Sequence, residues 1–119
     1  MRIAALAGGW LLAVAIAWLS LAPPPPEPSV EIPDKLAHFV AYAVLMFWFC
    51  FLYRSGKTRA TYGVLWIGMG IALEFAQGAT AYRSYELADM AANALGVLVG
   101  ALAALSLPRA AAAGGKEKP

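Results

Sequence analysis

The chain has 119 residues, 61% of them hydrophobic and 13% charged, with a formal net charge of +2. Soluble domains carry about 25% charged residues, so this composition excludes an ordinary soluble domain and indicates a membrane protein. Nucleic acid is not among the expected partners.

Helices are expected at about 3–22, 34–53, 60–77 and 86–107. Each contains an apolar run of roughly 17 to 21 residues, enough to cross a ~30 Å hydrocarbon core. The expected fold class is therefore all-α: a polytopic membrane protein with four transmembrane helices in an antiparallel bundle. One domain covers 1–107, and 108–119 forms a flexible cytoplasmic tail.

The first run has a basic start at Arg2, and Ser20–Ala22 imitates a signal-peptide cleavage site. Its apolar stretch exceeds the ~7–15 residues of a signal core. Pro23 follows at once, with no N–H and a fixed φ. The segment thus reads as a retained span, with Gly8 and Gly9 permitting a close neighbour. The stretch "PPPPEPSVEIPD" makes 23–33 a stiff outer spacer, because consecutive prolines are extended and cannot continue a helix.

The second run opens with "DKLAHFVAYAVL". Asp34, His38 and Tyr42 recur every four residues, so they stack along one helix face at about 6 Å per step. Lys35 sits beside them. Cys50 stands alone, which excludes a disulfide within one chain and leaves it as apolar filler. The turn "RSGKTR" follows, with Gly56 as the break and Arg54, Lys57 and Arg59 as its cations.

The third run ends in Glu74 and Gln77, neighbours on one face. Gly63, Gly68 and Gly70 suit close packing. A short loop carrying Tyr82, Arg83, Ser84 and Tyr85 leads to the fourth run, where Glu86, Asp89 and Asn93 share one sector. Further along, Gly96 and Gly100, followed by Ala104, form a stripe of small residues that lets another backbone approach, within the bundle or in a dimer. Arg2, Arg54, Lys57, Arg59, Arg109, Lys116 and Lys118 fall on one side of the membrane, against Lys35 and Arg83 on the other. Basic residues are retained inside, so both termini are expected in the cytoplasm.

On this topology the polar residues of three helices lie at the outer end. Ionisable groups near hydrocarbon are costly and find partners in a protein interior or wet cavity, so a shared outward-facing cluster is expected. Taken singly, Asp34 reads as a helix cap, and Glu86 and Asp89 suit the positive end of a helix dipole. Asn93 reads as an interhelical hydrogen-bonding group. The tyrosines read equally as interfacial anchors. Taken together, His38 with Asp34 or Glu74 supplies the donors and acceptors of acid–base catalysis. Lys35 and Arg83 can hold an anion, and Tyr42, Gln77, Asp89 and Asn93 complete the binding set. Carboxylates with one imidazole would suit a divalent cation, but the spacing matches no metal motif.

The elements "DKLAHFVAYAVL", "EFAQ", Arg83 and "LADMAANALGVLVG", in this order, resemble the VanZ-like family of small bacterial membrane proteins. The resemblance spans 34–100 and falls on Asp34, Lys35, His38, Tyr42, Glu74, Gln77, Arg83, Asp89, Asn93 and Gly96. The loop "GATAYRS" departs from it, since family members often place a proline and glycine before the arginine. The resemblance implies a place in the bacterial inner membrane and a link to teicoplanin susceptibility, and supplies neither reaction nor cofactor. The expected function is to bind or modify an anionic, lipid-linked envelope component from the periplasmic side. The alternative is a non-enzymatic subunit of a larger envelope complex, its ion cluster locking the bundle. Ion conduction is disfavoured by the apolar inner half of the helices.

Overall fold

A computed structural model describes residues 2–22, 34–80 and 87–106. It contains α1 (Arg2–Leu21), α2 (Asp34–Leu52), α3 (Gly56–Gly78) and α4 (Leu87–Leu105). The spacer 23–33, the loop residues 81–86 and the tail beyond 106 lie outside the described residues, and so do the side chains of Arg2 and Asp34.

The protein is all-helical, and α1, α2 and α4 are each long and apolar enough to cross a membrane. With 23 residues α3 is the longest helix, about 34 Å at 1.5 Å per residue. Lys57, Arg59, Glu74 and Gln77 lower its apolarity, and it does not join the other three. Its start also differs from the expected one near 60. Ser55 has extended backbone angles, and its hydroxyl accepts the Thr58 N–H at 3.3 Å, so the helix begins at Gly56 and takes in Lys57 and Arg59. Gly56 opens the helix rather than breaking the chain.

Arg59 then turns back onto α2. Its Nε donates to the Tyr53 carbonyl and its Nη2 to the Cys50 carbonyl, each at 2.6 Å. A cation at a helix C-terminus satisfies carbonyls that lack intrahelical donors and complements the dipole. At the other end of the molecule α1 stops before the proline run. Residues 23–26 have no N–H to offer the carbonyls four positions earlier, at 19–22.

Consecutive helices run antiparallel. Gly8 and Gly9 of α1 meet Trp48 and Phe49 of α2, and Gly63 and Gly70 of α3 meet Val97 and Asn93 of α4. α2 and α4 therefore run parallel, and they form the closest contact. A Cβ on Gly96 would overlap the Phe39 carbonyl, and one on Gly100 the Ala43 carbonyl. The small-residue stripe is thus spent inside the bundle, backbone against backbone.

Toward the basic end, marked by Arg54, Lys57 and Arg59, the core is aromatic. Phe49, Tyr62 and Trp66 stack and tilt on one another there, and the partly exposed ring of Trp10 covers them, with centroids 4.5–6.3 Å apart. The Trp48 indole N–H donates to the Ala5 carbonyl at 2.8 Å and ties α2 to α1. Exposed Leu11, Val14, Trp18, Val64, Phe75 and Leu102 give the bundle an apolar exterior, the surface that hydrocarbon requires.

Candidate functional site

At the end opposite the basic residues, polar side chains of α2, α3 and α4 converge in two groups. The first joins α2 to α4. His38 Nδ1 lies 2.9 Å from Asn93 Oδ1, and its Nε2 is 3.8 Å from Asp89 Oδ2. Lys35 Nζ approaches Asp89 Oδ1 at 3.9 Å. Helical spacing produces this: Lys35 and His38 are three apart on α2, Asp89 and Asn93 four apart on α4, so two short ladders face each other. Asp89 and Asn93 are buried, whereas the Lys35 side chain is 54% exposed. The seat for Asn93 is Gly70, where a Cβ would come within 2.8 Å of the amide nitrogen.

The second group joins α3 to α2 and α1. Tyr42 and Glu74 are each only 1% exposed, and Tyr42 lies within reach of the Glu74 charge. Among the described residues the Tyr42 hydroxyl has no hydrogen-bond partner. Gln77 is also buried, and its Nε2 donates to the Ser20 carbonyl of α1 at 2.7 Å. A cavity of about 220 Å³ opens beside this group. Ile16 and Leu19 of α1 and Ala37 and Ala41 of α2 form its apolar wall, with Ser20, His38, Tyr42 and Gln77 as polar lining.

Of the residues singled out by sequence, the structure brings Lys35, His38, Asp89 and Asn93 together, and Tyr42, Glu74 and Gln77 together. Arg83 and the Asp34 side chain lie outside the described residues, as do Tyr82, Ser84, Tyr85 and Glu86. Among the described residues no three His, Cys, Asp or Glu side chains are grouped to hold a metal ion.

No family model matches the chain, and no solved structure matches it. One curated protein does. The chain is similar to an uncharacterised protein of Schizosaccharomyces pombe, 35% identical over an alignment of 89 positions that covers 72% of this chain and 53% of that protein. It thus spans about half the length of this fission-yeast relative.

The contribution of α1 is what sequence reasoning missed. Ile16, Leu19 and the Ser20 carbonyl belong to a helix read as featureless apolar span. The available signal was Pro24, which cannot donate to the Ser20 carbonyl and leaves it to be satisfied from elsewhere. Chemically, the His38 nitrogens are directed at α4, while Ser20, Tyr42 and Gln77 offer the cavity neutral polar groups. The arrangement is equipped to hold a polar group by hydrogen bonds beneath an apolar wall.

Proposed function

We propose that this chain is a four-span membrane protein, both termini cytoplasmic and the polar cluster outward, that receives the polar end of a membrane amphiphile. One observation carries the reading: the cavity of about 220 Å³ places apolar Ile16, Leu19 and Ala41 beside polar His38, Tyr42 and Gln77. Ligand sites are commonly apolar hollows with a few convergent polar groups. Orientation rests on the excess of lysine and arginine at the opposite end.

In a bacterial inner membrane the occupant is an anionic, lipid-linked envelope component, bound or modified at this site. Half-exposed Lys35 holds its anionic part at the rim, and Arg83 is the second cation that the sequence offers for it. If the component is modified, His38 with Glu74 or Asp34 moves the proton. The resemblance to the VanZ-like family supports the envelope setting and an effect on glycopeptide susceptibility. The relative is a fission-yeast protein, so the general form of the proposal is a membrane amphiphile, with glycopeptide susceptibility as its bacterial expression.

The test is deletion of the protein followed by complementation with His38→Gln or Glu74→Gln variants that still insert. Deletion is expected to change envelope lipid composition or glycopeptide sensitivity, and each variant to reproduce part of the change. Profiles identical to wild type in all three strains would sink the proposal.

A second reading is favoured by the Lys35–Asp89–His38–Asn93 network, which ties α2 to α4. Here the cluster is a lock, and the protein is a non-enzymatic subunit of a larger envelope assembly. Purification in mild detergent decides for it if a stoichiometric partner is retained by wild type and lost in His38→Gln.

A further inference from the structure

The cavity is furnished for hydrogen bonding rather than for charge. His38, the basic residue on its wall, directs Nδ1 to Asn93 at 2.9 Å and Nε2 toward Asp89 at 3.8 Å, both on α4. The other polar residues on the wall are Ser20, Tyr42 and Gln77, and all three are neutral. No lysine or arginine is among the described residues that line it.

A hydroxyl both donates and accepts, and so matches a phenol, an amide and a second hydroxyl. The Tyr42 hydroxyl is the group that gains most, since it is buried without a hydrogen-bond partner among the described residues. Size narrows the ligand further. The cavity of about 220 Å³ exceeds the ~150 Å³ that holds a benzene molecule elsewhere. It accommodates a glycerol- to sugar-sized group.

We propose that this cavity binds the neutral, hydroxyl-bearing head group of a lipid, which exchanges hydrogen bonds with Tyr42 and sends its chain out along Ile16 and Leu19. The inference rests on the amphiphile reading above and narrows it. Any anionic part of the same molecule stays at the rim with Lys35, while the uncharged polyol enters.

The test compares wild type with Tyr42→Phe in phosphatidylcholine nanodiscs, using 1-oleoylglycerol and oleyl phosphate as probes and native mass spectrometry as readout. The substitution removes an unpartnered hydroxyl, so thermal unfolding is expected at or above that of wild type. Affinity for 1-oleoylglycerol is expected to fall about tenfold, the effect of one good hydrogen bond. Unchanged affinity in Tyr42→Phe overturns the proposal. Tighter binding of oleyl phosphate, with displacement of 1-oleoylglycerol, overturns the neutral class and leaves the amphiphile reading standing. If a folded wild-type protein binds neither probe, both fall.

Discussion

Gly68 and Gly96 look alike in sequence, each a small residue in an apolar helix, yet their surroundings are opposite. Beside Gly96 a Cβ would strike the Phe39 backbone, whereas nothing lies within 4 Å of one on Gly68. Gly96→Ala is expected to destabilise the protein by about 1–3 kcal/mol through overpacking. Gly68→Ala is expected to be neutral, or to stabilise by up to about 1 kcal/mol from helix propensity. Unfolding in mixed micelles by graded addition of sodium dodecyl sulfate measures both, and equal effects would contradict the packing described here. At this scale the ladder of His38, Tyr42, Glu74, Gln77, Asp89 and Asn93 was legible, because period and charge cost are written along each helix. Its division into two groups was not, since partner choice depends on how the helices are rotated toward one another. The aromatic cluster had even less local signature: buried Phe49 and Trp66 and the exposed Trp10 against them come from three helices.

The ends of the helices show how far local chemistry reaches. The proline run marks the end of α1 without ambiguity, and Ser55 is a recognisable cap for α3, although apolarity alone puts the start of that helix four residues later. What no local pattern discloses is that both termini are finished by side chains from α3. Arg59 completes α2 and Gln77 completes α1. Gln77→Leu keeps the bulk but removes the donor, leaving the Ser20 carbonyl without it. The expected outcome is faster hydrogen–deuterium exchange across the last turn of α1 and a stability loss of about 1 kcal/mol. Exchange as slow as in wild type would mean that Gln77 does not hold α1. Arg59→Lys is expected to cost about 1–2 kcal/mol in the same unfolding assay despite retaining the charge, because an ammonium cannot fork between the Cys50 and Tyr53 carbonyls as a guanidinium does. Full retention of stability would reduce Arg59 to a topogenic charge.

For the molecule as a whole, hydropathy made the class and the number of helices readable. The span expected at α3 is not among the three helices long and apolar enough to cross a membrane, since Glu74 and Gln77 on its buried side lower its mean hydropathy. The proposed four-span topology predicts that, in a Cys50→Ala background, Ser55→Cys is labelled by an impermeant maleimide only from the cytoplasm and Thr80→Cys only from outside. Labelling of both from one side would remove α3 from the membrane. The parallel contact of α2 with α4 has a temporal side as well. Its two members are separated in the chain by the whole of α3, so the joint forms only after α1, α2 and α3 have been synthesised. Until Gly96 and Gly100 arrive, the backbone at Phe39 and Ala43 is without the cover that α4 gives it. Among these four helices the tightest fit is thus the last to close, and a nascent chain that stops before residue 96 lacks the backbone contact that seats α4 on α2.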